Sequence, residues 1–153
     1  TWTWYIDTGA TYFNERWASM LGYSLEELQP ISIENWKKLT HPADVLKVED
    51  LLALHFSGQR EYHECQIRMK HRNGSWVWIL SRGKVSKWSA TGKPLIMSGT
   101  HTDINEQKLA ELALFENRLR LQAIFDNAIN AIILADDYGN YIESNPAASR
   151  LLG

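Results

Sequence analysis

Residues 62–106 read YHECQIRMKHRNGSWVWILSRGKVSKWSATGKPLIMSGTHTDINE, and this stretch decides the fold. Apolar and polar residues alternate through three runs, Tyr62–His71, Trp76–Trp88 and Pro94–Thr102, as half-buried strands require. Arg72-Asn73-Gly74 and Ala90-Thr91-Gly92-Lys93-Pro94 separate the runs with turn chemistry, so they predict an antiparallel meander. Tyr62, Glu64, Gln66, Arg68 and Lys70 fall on one face of the first run, with Cys65, Ile67 and Met69 on the other. The third run passes through Asp103-Ile104-Asn105-Glu106 directly into a charged, leucine-bearing segment. A sheet that feeds a helix without a loop can tilt or rotate that helix, which points to signal relay rather than chemistry.

Upstream, Trp2–Asp7 suits a strand, Asp7-Thr8-Gly9-Ala10 a turn, and Thr11–Phe13 the return strand. Asn14 is placed to cap a helix over Glu15–Leu21, with Gly22 at its C-cap. Ser24-Leu25-Glu26-Glu27 has the pattern of a capping box opening a second short helix that Pro30 ends, and Glu34–Leu39 suits one further turn. Asp44, after the loop His41-Pro42-Ala43, is expected to cap a longer helix, Val45–Phe56. Val45, Val48, Leu51, Leu52, His55 and Phe56 form its one-sided stripe. These elements add up to one α+β domain.

A chain of 153 residues holds one good core and part of a second. Its net charge of −2 predicts no general attraction to nucleic acid or anionic lipid. Cys65 is the one cysteine, so no internal disulfide can form and a reducing cytoplasm is the expected setting. No apolar run approaches the ~20 residues of a membrane span, so no membrane contact is expected of these residues. Seven tryptophans are available to fill a core or line a cavity.

Residues 105–125 lack Gly and Pro and read as one helix of about six turns. Leu112 and Leu119 lie a heptad apart beside Leu109, Phe115 and Ala123, which suits a short parallel coiled coil, although Glu116 and Gln122 interrupt the seam. Beyond it lies a repeat. Asp7-Thr8-Gly9, Asn14 and Gly22 recur as Asp137-Tyr138-Gly139, Asn145 and Gly153, with Ile132–Asp136 and Tyr141–Ser144 as paired strands and Pro146 opening a helix. The expected organisation is a domain over 1–104, a linker helix over 105–125 and the start of a second domain over 126–153. Without its own sheet, that second copy is expected to fray, dock or exchange with a neighbour.

The order Phe13-Asn14 to Leu21-Gly22-Tyr23-Ser24, His41-Pro42-Ala43-Asp44, Arg68 through Asn73-Gly74-Ser75-Trp76-Val77-Trp78, then Gly99 through Asp103-Ile104-Asn105-Glu106 resembles the PAS family with a C-terminal PAC motif. The resemblance covers about 1–106, and a second PAS unit begins near Phe125. Two features depart from the family: its N-terminal cap helix is missing, and Asn105 stands where Thr is usual. The resemblance implies a five-stranded antiparallel sheet of order 2-1-5-4-3, with short helices and one longer helix on one face. Between sheet and helices lies a space that holds a ligand or is filled by side chains.

By that likeness Trp4, Ile6, Cys65, Ile67, Met69, Val77, Ile79, Met97 and His101 face the cavity, with Trp36, Leu52 and His55 on the helix side. His101, His55, Ser81 and Ser98 would be its polar points. Flavin is disfavoured, because no Asn-Cys-Arg motif occurs near Ile31–Leu39. Met69, Ile79 and His101 stand where light-sensing relatives use amides. Haem is disfavoured, because the axial position falls near Lys47 and His55 lies too close to Gly58. His63 and Cys65 lack a reachable third metal ligand. His41 and Asp44 read as loop and cap residues rather than an acid–base couple, and no nucleophile–base pair or P-loop occurs, so no enzymatic activity is expected of these residues.

The resemblance implies a sensory module in a cytoplasmic, multidomain bacterial-type signalling protein, a histidine kinase or a cyclic-diguanylate enzyme. It would form a homodimer through the PAS domain and the linker helix, and pass a signal to the downstream PAS and output domain. Asp103, Ile104 and Asn105 are the expected transmission residues, with Asp103 capping the helix and pairing with Arg68 or Arg82. A small metabolite and a filled, ligand-free core are both compatible with the cavity. A flavin or haem redox sensor and a ligand-free oligomerisation scaffold are the other readings.

Overall fold

Alternation in the meander becomes register: β3 (His63–Lys70), β4 (Trp76–Trp88) and β5 (Pro94–Asp103) are antiparallel neighbours, with Ile67 opposite Ile79 and Cys65 opposite Ser81. The computed structural model describes residues 1–152, in two compact units, one spanning Thr1–Glu106 and one beginning at Gln107. In the first, β1 (Trp2–Tyr5) adds to the free edge of β5 and β2 (Thr11–Phe13) to β1. The sheet order is β2-β1-β5-β4-β3, as the resemblance implied.

Three helices cover one face. Asn14 accepts from the N–H of Trp17 at 3.2 Å and starts α1 (Glu15–Met20). After its C-cap, Gly22 takes φ 77°, a left-handed conformation that favours glycine, and the ring of His71 lies close over it. Ser32 caps α2 (Ile33–Leu39), and α3 spans Pro42–Phe56. Trp17 and Ala18 of α1, its C-cap Leu21, Trp36 of α2 and Val48 of α3 pack in one cluster with Cys65, Ile67, Met69, Val77 and Ile79 of the sheet.

Two local expectations need correction. The capping box forms, with Ser24 N–H to Glu27 Oε2 at 2.9 Å and Glu27 N–H to Ser24 Oγ at 3.2 Å, yet residues 25–28 close only as a turn. Pro30 follows too soon for a helical nucleus to propagate. The cap of α3 is His41, whose Nδ1 accepts from Ala43 N–H at 3.2 Å, with Pro42 as the first helical residue. Asp44 therefore sits inside the first turn, and its carboxylate serves another purpose.

The helix α4 (Asn105–Asn127) carries the chain from the first unit into the second and has no buried residue. A hairpin of β6 (Ile133–Ala135) and β7 (Tyr141–Ser144) precedes α5 (Pro146–Leu152). Asn145 is fully buried: its Oδ1 accepts from Ile132 and Ala148 N–H, each at 2.9 Å, and its amide donates to Asn130 O at 2.9 Å and Phe125 O at 3.2 Å. The repeat's Gly153 lies outside the described residues. Among the described residues no helix is long and apolar enough to cross a membrane.

Candidate functional site

Directly opposed residues in an antiparallel ladder share a face. Three rows therefore cross the middle of the sheet side by side: Trp4–Met97–Val85, Trp2–Gly99–Gly83–His63 and His101–Ser81–Cys65. The middle row carries two glycines, and the Trp2 indole lies over them. A Cβ on Gly83 would come within 2.5 Å of that ring, and one on Gly99 would strike both the ring and the Arg82 carbonyl. The depression beside the indole is a cavity of about 50 Å³. Trp2, Trp4, Met97, His63, Ser81 and His101 line it from the three rows. Thr11 and Phe13 of β2 close one side, and Ile33, Trp36, Val48 and Leu52 of α2 and α3 form the roof.

The polar atoms here are poorly matched within the protein. His101 Nε2 and Ser81 Oγ are hydrogen-bonded at 3.1 Å. His101 Nδ1, His63 Nδ1 and the indole nitrogens of Trp2 and Trp4 are shielded and find no hydrogen-bond partner among the described residues. Burial, reinforced by His55, pushes His63 down to about 4, and burial pushes His101 down to about 3. Although His101 as a whole is only half-buried, its Nδ1 is fully shielded. Both rings are neutral at neutral pH.

Of the expected cavity residues, Trp4, Trp36, Leu52, Met97 and His101 come together around this space. Cys65, Ile67, Met69 and Ile79 lie on the same face but belong to the solid core, packed in one cluster with Trp17, Ala18, Leu21, Trp36 and Val48. Burial raises the Cys65 thiol above its usual range. Ile6, just past β1, packs against the cluster of Trp2, Val85 and Met97 rather than the cavity. His55 stands behind the wall: its Nε2 accepts from Val85 N–H at 3.0 Å beside a β-bulge, so its Nδ1–H donates to Arg60 O at 2.9 Å. With both nitrogens used, it has none to offer a ligand.

Sequence reasoning missed Trp2, Thr11, Phe13, Ile33 and Val48, and considered His63 only as a metal ligand. Two strand glycines were the available signal, since glycine inside a strand marks close approach by another group. Flavin does not fit this site, because the lining offers no side-chain amide and the volume is far below the roughly 300 Å³ at which small-molecule pockets begin. Haem does not fit for the same reason of size, and His55 is already committed. Among the described residues no three His, Cys, Asp or Glu side chains are grouped to hold a metal.

Two hydrogen-bonded clusters frame the site. Asp44 Oδ2 accepts from the backbone N–H and Nε of Arg68, and Oδ1 from Nη2, all at 2.8 Å. The Arg68 side-chain bonds, despite the burial that opposes them, hold the Asp44 carboxyl below its usual range. Arg68 is thereby committed to α3, and Arg82 to Glu64, so the expected pairing of Asp103 with either arginine is not formed. Asp103 Oδ1 instead accepts from Asn105 N–H at 2.8 Å, at the first residue of α4. Ile104 N–H donates to Trp78 O at 3.0 Å, and Asn105 Oδ1 accepts from Trp78 N–H at 3.4 Å. Both main-chain groups of one β4 residue are thus held by the residue just before α4 and by its first residue.

Comparison with known proteins agrees with this architecture. A family model described as "PAS fold" matches residues 10–101, and one described as "PAS domain" matches 119–153. Curated protein sequences give no match. Among solved structures, a sensory box histidine kinase/response regulator from Burkholderia thailandensis is similar at 30% identity and TM-score 0.68, covering 80% of this chain and 88% of that one. The N-terminal domain of a diguanylate cyclase with PAS/PAC sensor from Marinobacter aquaeolei is similar at 26% identity and TM-score 0.59, covering 70% and 95%. With the sheet order, the covering helices and the matched residues in agreement, the chain belongs to the PAS family.

Proposed function

We propose that this chain is the sensory module of a cytoplasmic signalling protein, relaying the state of its cavity through the β5–α4 junction to a downstream PAS unit and a distal output domain. The observation that carries the reading is the pair of bonds from Ile104 and Asn105 to the backbone of Trp78. Trp78 faces Arg68 across the β3–β4 ladder, and Arg68 is clamped to α3, which roofs the cavity. A ligand that shifts α3 against the sheet therefore has a continuous bonded route to the first turn of α4. The names of the similar structures favour a histidine kinase or a cyclic-diguanylate enzyme as output.

The active unit in this reading is a homodimer. Leu109, Leu112, Phe115 and Leu119 of α4 are all more than half-exposed or at one-half in the single chain, at the spacing of a coiled-coil seam. A cavity of only about 50 Å³ favours a second reading, a ligand-free dimerisation scaffold. The discriminating variant is Asp103→Ala, which removes the acceptor for Asn105 N–H at an exposed position. In the full-length protein it should leave folding intact and flatten the response of output activity to stimulus. Equal responses in wild type and variant would remove the junction from the relay and leave the scaffold.

A further inference from the structure

We infer that the cavity receives a small uncharged molecule with a hydrogen-bond-accepting oxygen, of the class of short ketones and alcohols, held by the indole N–H groups of Trp2 and Trp4 and by Nδ1 of His63 and His101. The inference rests on the sensory reading for its meaning, and names the ligand class for that same site.

Folded proteins match nearly all their buried polar atoms, so four unmatched ring nitrogens on one lining are a concentrated exception. Trp2 is 8% exposed and His63 2%, and both Nδ1 and Nε1 atoms are closed off from bulk water. An indole nitrogen can only donate, so Trp2 and Trp4 both ask for an acceptor. The two neutral imidazoles can each present either an N–H or a lone pair. For His101 the choice is open, because the Ser81 hydroxyl at Nε2 can itself donate or accept. The polar set thus suits a carbonyl, and suits a hydroxyl equally well.

Charge and size narrow the class. Among the described lining residues there is no Asp, Glu, Lys or Arg. An ionic ligand would be buried without a counter-charge, which apolar surroundings oppose strongly. Phe13, Ile33, Val48, Leu52 and Met97 offer a short alkyl group its apolar contacts. A cavity of about 50 Å³ is roughly a third of one that accepts benzene, so the occupant has only a few heavy atoms.

The test follows the indole N–H resonances of this chain, labelled with 15N, during titration with acetone and with 2-propanol. Acetate and methylammonium serve as charged controls. The expected result is a saturable shift of two indole signals with the uncharged probes alone, those signals being the ones missing from Trp2→Phe and Trp4→Phe. His63→Leu, checked for folding by circular dichroism, should weaken binding about tenfold. No saturable shift with either uncharged probe, which is the outcome if ordered water alone satisfies these atoms, overturns the inference. Saturation of the same signals by a charged probe overturns it too, as does wild-type affinity in a folded His63→Leu. The sensory reading is tested separately by the output of the full-length protein. Binding without an output response supports the site and removes the relay. A response without binding removes the site and leaves the relay.

Discussion

Acidification should destabilise the PAS unit through its two cavity histidines before its carboxylates titrate. His63 falls from an ordinary 6.5 to about 4 and His101 to about 3, mainly because burial penalises the charged ring. In the unfolded chain both regain the ordinary value, so between about 4 and 6.5 the unfolded state binds more protons. The sign follows: the stability is fully present above 6.5 and is lost as pH falls towards 4. Each histidine costs about 1.4 kcal/mol per pH unit inside that window. At pH 5 that is about 2 kcal/mol for each ring, and about 4 kcal/mol for the pair as a ceiling. A single domain of this size has roughly 5–15 kcal/mol in total, so the effect is large.

Asp44 acts in a different window. Its lowered carboxyl contributes stability that is fully present above the ordinary carboxylate range and is lost only as pH falls below it, so it adds little pH dependence near pH 5. The assay is urea unfolding followed by tryptophan fluorescence at half-unit steps from pH 7.5 to 4.5. A rising loss of stability below pH 6.5 is expected, and the double variant His63→Leu, His101→Leu should flatten it. Constant stability from pH 7 to 5 would refute the argument, and so would an undiminished slope in a folded double variant.

Three further outcomes are expected. Asp44→Ala leaves the Arg68 guanidinium and backbone N–H without their carboxylate, and should lower stability by about 2–3 kcal/mol in urea melts at pH 7. Gly99→Ala drives a Cβ into the Arg82 carbonyl and the Trp2 ring, neither of which can yield cheaply; it should cost about 3 kcal/mol or more and lower the melting temperature by well over 5 °C. Asn145→Ala removes the acceptor for Ile132 and Ala148 N–H and the donor to Asn130 and Phe125, so amide exchange should become unprotected from Ile132 to Ala148 while protection in β3–β5 is unchanged.

The sheet was legible because its information is local and redundant. Val77, Ile79, Ser81, Gly83 and Val85 alternate with Trp78, Leu80, Arg82 and Lys84, and a one-residue slip would turn all of them inside out. Helix boundaries were less legible. His41 caps α3 because Asp44 is claimed by Arg68, 24 positions away, and nothing adjacent in the chain records that. The cavity was half legible for a related reason. Alternation tells which face a residue takes and puts Met69 and Ile79 on the inner face, but only the packing of the covering helices decides which part of that face is solid. Where the gap lies was written in Gly83 and Gly99, whose meaning depends on Trp2 standing opposite Gly99 on the neighbouring β1, about ninety residues back in the chain.

The repeat shows how far local instructions go by themselves. Asn14 and Asn145 each accept, through Oδ1, from the N–H three residues on, and each opens a helix after a hairpin. Both hairpin turns carry a glycine in the left-handed region, Gly9 at φ 73° and Gly139 at φ 83°. The two copies therefore share cap, turn and strand pairing without sharing a sheet. In the first, β1 goes on to pair with β5, and its Trp2 and Trp4 are drawn over the cavity. In the second, Ile133, Leu134, Tyr141 and Ile142 stay exposed, and Asn145 holds the hairpin through its own amide. Hairpin and cap are thus set by contacts within about twenty residues, whereas the cavity needs β5, about ninety residues downstream of β1. Equivalent substitutions in the two hairpin turns should disturb each copy alike, while one in β5 can empty or fill the site only in the first.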